Sequence, residues 1–203
     1  MIAVIDYKAG NLTSVVKALR HLGAEEITVT QDPDVVRRAA KVVLPGVGHF
    51  RATQLLQQLG LTQAVRESAA SGAWFLGICV GMQWLFEGST EADETFGLGH
   101  LAGMCERFPA EYEGLYLKSP HVGWNSLEAL RPDSRLLRGV APGGYVYYTH
   151  SWRAPVVSAT AAVTNYAGAF SAVVEKDNVM GVQFHPEKSS SVGLHLLKNF
   201  VEL

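Results

Sequence analysis

Short apolar runs alternate with stretches of helical spacing through the first half of the chain. Ile2-Ala3-Val4-Ile5 reads as a buried strand, and Leu12, Val15, Leu19 and Leu22 then fall on one face of a helix that Gly23 stops. Ile27-Thr28-Val29 is a second strand, and Asp32-Pro33 puts proline in the first turn of the next helix. Val42-Val43-Leu44 predicts a third strand running into Pro45-Gly46-Val47-Gly48. Helical stretches occupy residues 50–71, and Trp74-Phe75-Leu76 forms a fourth strand. This alternation predicts an α/β fold, an open and mostly parallel sheet flanked by helices.

The second half carries strand candidates close together, at residues 144–151, 159–165, 171–175 and 179–184, so some antiparallel pairing is expected. A last helix fits residues 189–201. Ser189, Ser190 or Ser191 can cap it, while Val192, Leu196, Leu197, Phe200 and Val201 share a face. The polar stretch 87–95 reads as a solvated loop whose acidity belongs to the surface. With no internal repeat, the 203 residues read as one domain, 1–203.

Composition narrows the function. Seventeen basic against 19 acidic residues give a net charge of -2, with no basic stripe for a phosphate backbone, so nucleic acid is not an expected partner. No apolar run approaches the roughly 18 residues of a membrane helix and no signal-like leader opens the chain, which points to a soluble, cytoplasmic protein. The two cysteines, Cys79 and Cys105, are too few for a disulfide framework or a cysteine metal cluster, and no metal or organic cofactor is expected. Cys105 reads as a buried or half-buried strand residue.

The chemistry concentrates in Gly77-Ile78-Cys79-Val80-Gly81-Met82-Gln83, which follows an apolar strand and opens the helical pattern Met82, Leu85, Phe86. It is a cysteine version of the Gly-x-Ser-x-Gly elbow. A sharp strand-to-helix turn lifts the nucleophile off the sheet, and a helix N-terminus there favours thiolate. A base is supplied by Gln183-Phe184-His185-Pro186-Glu187-Lys188 at the end of another strand. Pro186 halts the strand, so Glu187 can reach the second imidazole nitrogen and orient His185. The other six histidines lack such a carboxylate, and His21 and His195 read as surface residues on helices. Acyl transfer also needs oxyanion donors. The N–H of Val80 is one, and the Pro45-Gly46-Val47-Gly48 turn offers Val47 or Gly48 as the other.

These segments closely resemble the triad motifs of class I glutamine amidotransferases, in the order Cys, His, Glu. Asp6-Tyr7, Gly10-Asn11-Leu12, Pro45-Gly46-Val47-Gly48, His121-Val122-Gly123-Trp124-Asn125, Tyr147-Tyr148-Thr149-His150-Ser151-Trp152 and His185-Pro186-Glu187-Lys188-Ser189 extend the likeness along nearly the whole chain. The finer resemblance is to the glutaminase subunits that serve a cyclase in histidine biosynthesis. It implies that Cys79, His185 and Glu187 form the triad. It also implies that Gly46, Gln83, His150 and Ser151 bind glutamine, and that Asn11, Tyr147 and Lys188 face a (β/α)8 cyclase in a heterodimer. Lys8 departs from the pattern, since the family usually has glycine there, which bears on the partner contact rather than the triad. His121 and Trp124 read equally as a packed Trp-Asn turn. The competing readings are another class I glutaminase subunit, against which Met82 and Lys188 argue, a free-standing γ-glutamyl hydrolase or cysteine peptidase, and a non-catalytic subunit on the same scaffold.

Overall fold

The computed structural model describes residues 1–203. Strand β1 (Ile2–Ile5) is followed by α1 (Leu12–His21), β2 (Ile27–Thr30), α2 (Pro33–Arg38) and β3 (Lys41–Gly46). A 3-10 turn (Phe50–Thr53), α3 (Gln54–Gln58) and α4 (Leu61–Ala70) lead to β4 (Trp74–Cys79) and α5 (Val80–Gln83). Five short strands follow: β5 (Gly88–Ser89), β6 (Met104–Arg107), β7 (Glu111–Tyr112), β8 (Leu115–Tyr116) and the longer β9 (His121–Ser126). The chain ends with β10 (Tyr145–His150), β11 (Trp152–Arg153), β12 (Thr160–Asn165), β13 (Ala169–Lys176), β14 (Val179–Val182), a 3-10 turn (Pro186–Lys188) and α6 (Ser190–Glu202).

Seven strands make the main sheet in the order β12-β13-β14-β4-β3-β1-β2. The block β14-β4-β3-β1-β2 is parallel, while β12 and β13 join it antiparallel, as the two halves of the sequence predict. Two adjacent parallel strands, β4 and β14, therefore deliver Cys79 and His185 to the same sheet edge. Strands β1 and β4 are almost wholly buried, which accounts for their continuous apolar runs.

Local chemistry explains the joints. The Asp32 carboxylate accepts from the Asp34 N–H at 2.8 Å with Pro33 at the first helical position, fixing the start of α2. Asn11 caps α1 in the same way, accepting from the Ser14 N–H.

Four expectations need correction. The helix after Cys79 spans only four residues, all buried, because the backbone amides of residues 97–101 take the carbonyls of residues 84–87 that a longer helix would use. Residues 87–95 are not a solvated loop: Ser89 is buried in β5, paired beside Cys105, while Ala92 and Thr95 are also buried. His121 to Asn125 is not a packed turn but strand β9, antiparallel to β10, with Trp124 half exposed. Ser189 starts α6 without capping it, since its hydroxyl is used elsewhere. Cys105 lies fully buried in β6, as its sequence context suggests.

Candidate active site

The strand-to-helix elbow has the shape its glycines require. Cys79 sits at φ 53 and ψ -109, a conformation that L-residues with a Cβ rarely take. A Cβ on Gly77 would collide with the Gly81 carbonyl, and one on Gly81 would collide with the Leu44 carbonyl. The two glycines thus let strand, turn and neighbouring strand close on one another, and the strain falls on Cys79. Its side chain opens into a pocket of about 270 Å³, lined also by Val47, Gly48, Val80, Gln83 and His185.

His185 lies just beyond β14, after Gln183 and Phe184. Its backbone N–H donates to the Tyr147 carbonyl at 3.0 Å, and Pro186 bends the chain so that the imidazole Nδ1 lies 3.1 Å from Glu187 Oε1. Both side chains are almost completely withdrawn from solvent, at 2% and 1% exposure. Burial alone would pull the imidazole down, but the Cys79 side chain and the Glu187 carboxylate outweigh it and raise His185 to about 10. Nε2 of His185 has no partner within the protein, leaving it free for the reacting group in the pocket. Ser189 locks this turn to β10: its hydroxyl donates to the His185 carbonyl at 2.6 Å and accepts from the Tyr147 N–H at 2.9 Å.

The facing wall is the turn after β3. Gly48 takes φ +89, which glycine alone adopts freely, and neither Val47 nor Gly48 donates its N–H to any protein acceptor. Gly46, expected among the substrate-binding residues, does not reach the pocket. It is buried behind the turn, where a Cβ would come within 2.5 Å of the Tyr7 hydroxyl and 2.7 Å of the Gly81 nitrogen. Gln83, His150 and Ser151 do line the pocket, but the His150 ring is committed internally: Nδ1 to the Trp152 carbonyl at 2.8 Å and Nε2 to His121 Nδ1 at 3.1 Å. Burial holds both rings far below the usual imidazole range, His121 to about 4 and His150 to about 3.

Glu91 was not apparent from the sequence as part of this pocket. It reaches in from the 87–95 segment and accepts from the Phe50 N–H at 2.8 Å. Its only sequence signal was acidity, which surface loops share. Of the residues expected at a partner surface, Lys188 is exposed and Tyr147 half-buried, with its ring 6.0 Å from that of Trp124. Asn11 follows Gly10, where a Cβ would come within 3.1 Å of the Pro45 carbonyl, so it lies at the same sheet edge.

The sequence matches the family model for glutamine amidotransferase class-I over residues 3–203. The chain belongs to the class I glutamine amidotransferase family. Its fold is similar to a crystal structure of a glutamine amidotransferase, with a TM-score of 0.74 at 18% identity, covering 99% of this chain and 98% of that one. It is also similar to the glutaminase domain of Trypanosoma brucei CTPS with bound acivicin, with a TM-score of 0.67 at 14% identity, covering 99% and 93%. Within the family, the imidazole glycerol phosphate synthase subunit HisH of Nitrosospira multiformis is 44% identical, over 98% of this chain and 96% of that protein. The subunit of the same name from Moorella thermoacetica is 46% identical, over 100% and 94%.

Proposed function

We propose that this chain is the glutaminase subunit of an imidazole glycerol phosphate synthase, with Cys79, His185 and Glu187 as its catalytic triad. One observation carries the reading: an imidazole held by a buried carboxylate shares a pocket with a cysteine on a strained elbow, in a chain 44% identical along its length to a HisH subunit.

The Cys79 thiolate attacks the side-chain amide carbon of glutamine, and the resulting oxyanion is held by the Val80 N–H with that of Val47 or Gly48. As the C–N bond breaks, the imidazolium of His185 gives its proton to the departing nitrogen. Ammonia and a γ-glutamyl thioester result. Now neutral, His185 takes a proton from water, whose oxygen attacks the thioester; glutamate leaves and the thiolate returns. Glu187 keeps the ring oriented and stabilises its charge in both halves. Gln83 and the backbone at His150 and Ser151 hold the amino-acid end of the substrate.

Ammonia then passes to a (β/α)8 cyclase subunit, where it supplies the nitrogen for imidazole glycerol phosphate and aminoimidazole carboxamide ribonucleotide. The partner surface of this heterodimer includes Asn11, Tyr147 and Lys188, and the complex works in the cytoplasm. No helix is long and apolar enough to cross a membrane.

The test uses the assembled complex. Cys79→Ala is expected to abolish synthesis from glutamine and to leave synthesis from ammonium salts intact, because ammonia bypasses only the thiol step. Equal loss from both nitrogen sources would reject the assignment, and retained glutamine turnover would remove Cys79 from the reaction.

A further inference from the structure

Between the pocket and the sheet runs a chain of buried amides, of which the reaction above uses only Gln83 and leaves Gln183 without a role. It starts at one backbone atom. The Trp152 carbonyl accepts from His150 Nδ1 at 2.8 Å and from Gln83 Nε2 at 2.8 Å. A carbonyl oxygen can only accept, so the nitrogen end of the Gln83 side chain has to face it. That nitrogen has a second N–H, which meets the Gln183 side chain at 3.1 Å, and the atom it meets must therefore be the Gln183 oxygen. The Gln183 nitrogen is left on the far side of its amide. There it donates to Cys79 Sγ at 3.8 Å.

The orientation of both amides is thus dictated by a main-chain carbonyl. Reversing Gln83 would set its oxygen against the Trp152 carbonyl, and reversing Gln183 would set nitrogen against nitrogen, both in a buried place. Gln183 itself is fully buried, so water cannot compete for its N–H. A hydrogen bond to an ionised acceptor is roughly twice as strong as one between neutral groups, and low local polarity strengthens it further.

Resting on Cys79 as the nucleophile, we propose that Gln183 is a positioning residue for Cys79: its side-chain N–H holds the sulfur in place and stabilises it as thiolate. Gln83 is the strut that keeps this donor aimed, and the Trp152 carbonyl is the anchor of the strut. No proton leaves Gln183 at any stage. The bond is strongest while sulfur carries the negative charge and weakens in the thioester, so it favours the states that precede attack and follow hydrolysis.

The experiment reads the thiol directly, independently of glutamine turnover. Cys79 alkylation by iodoacetamide is followed against pH in a Cys105→Ala background, alone and with Gln183→Met or Gln183→Glu. Methionine keeps the length of the side chain and removes the donor; glutamate turns an acceptor toward sulfur. For Gln183→Met the alkylation rate at pH 7 is expected to fall by about tenfold or more, with its midpoint moved to higher pH, and Gln183→Glu is expected to move it further. In the complex, kcat falls in parallel while KM for glutamine stays within about twofold, since this amide reaches sulfur and not substrate.

Folded variants with the unsubstituted alkylation profile would overturn the proposal, as would a loss confined to KM. Thermal melting identifies variants that fail to fold. If both fail, the unsubstituted protein labelled with 15N-glutamine decides the matter. The Gln183 side-chain amide signals should move on alkylation of Cys79, and unmoved signals refute the hydrogen bond. Should Cys79→Ala retain glutamine turnover while these thiol measurements hold, the glutaminase reading fails and the Gln183 bond stands.

Discussion

Gly46 lies directly opposite Cys79 in the parallel ladder between β3 and β4. The turn that carries Val47 and Gly48 therefore begins at the same level of the sheet as the elbow that carries Cys79, the proposed nucleophile. A strand pairing, rather than a loop contact, sets the distance between the Cys79 sulfur and the Val47 and Gly48 amides across the pocket.

Gly48 tests that arrangement with little damage to the fold. A Cβ there meets nothing within 4 Å, so Gly48→Ala introduces no clash and costs only the strain of φ +89, about 1–2 kcal/mol. Alanine relieves that strain by turning the peptide, and one misdirected oxyanion donor lowers kcat by roughly 10² to 10³. A folded Gly48→Ala protein is expected to show that loss in steady-state glutamate release with the cyclase present. Undiminished kcat would exclude this turn from the oxyanion site.

Glu187→Gln separates charge from shape. Burial lowers the His185 pKa, and the carboxylate is one of two neighbours that reverse this, so its removal is expected to bring His185 down from about 10. The raised value stabilises the fold fully below the ordinary histidine range, and this contribution fades as pH climbs through about 10; the variant should lose it at lower pH. NMR titration of the ring checks the shift. The rate loss is expected to be large but below the roughly 10⁴ seen for the orienting carboxylate of a serine triad, because a thiol ionises more readily.

The His121 and His150 pair gives the opposite sign. Burial depresses His121 to about 4 and His150 to about 3, so at mildly acid pH the unfolded chain binds protons that the native one refuses. Stability should therefore fall as pH drops from the ordinary histidine range toward 4. Each neutral ring contributes a slope of about 1.4 kcal/mol per pH unit in that window. His121→Phe, in a site already stacked between Tyr148 and Tyr166, should flatten the slope by one proton in urea unfolding at pH 4.5 and 7. An unchanged slope would show that His121 is protonated in the native state.

Lys8 occupies the left-handed region at φ 66, with its N–H bound to the Asp6 carboxylate at 2.9 Å. The glycine that the resemblance leads one to expect here would be free of the steric penalty that lysine bears. Lys8→Gly is expected to raise stability by up to about 1 kcal/mol, the relieved strain less the added backbone entropy of the unfolded chain. A lower melting temperature would mean that the lysine side chain contributes more than its backbone costs.

The parallel half of the sheet was legible because its strands are short apolar runs, several with glycine or proline at or near their ends, and helical spacing separates them along the chain. The elbow was legible for a related reason: close approach of two backbones leaves a local signature, Gly77 and Gly81. What escaped the sequence depends on distant pairing. Residues 121–126 carry polar and apolar groups in no strand-like alternation, and only antiparallel pairing with β10 makes them a strand. The polarity of 87–95 suggested solvent, yet Glu91 is drawn inward by a backbone amide on another element. Gln183 could be seen beside His185 but not to point at Cys79, because a carbonyl at Trp152 fixes its orientation through Gln83.

Two hydrogen bonds joining β10 to the His185 turn, with a third inside the turn, make Tyr147, Ser189 and His185 move as one body. Tyr147 leans on the exposed Trp124, so a protein that settles on this ribbon pushes on a lever whose other end is His185, the proposed catalytic base. Levers of this kind work in both directions. If binding at the ribbon raises the affinity for glutamine by some factor, glutamine raises the affinity for that protein by the same factor. The tightness of the assembly then becomes a gauge of how much glutamine the cell contains.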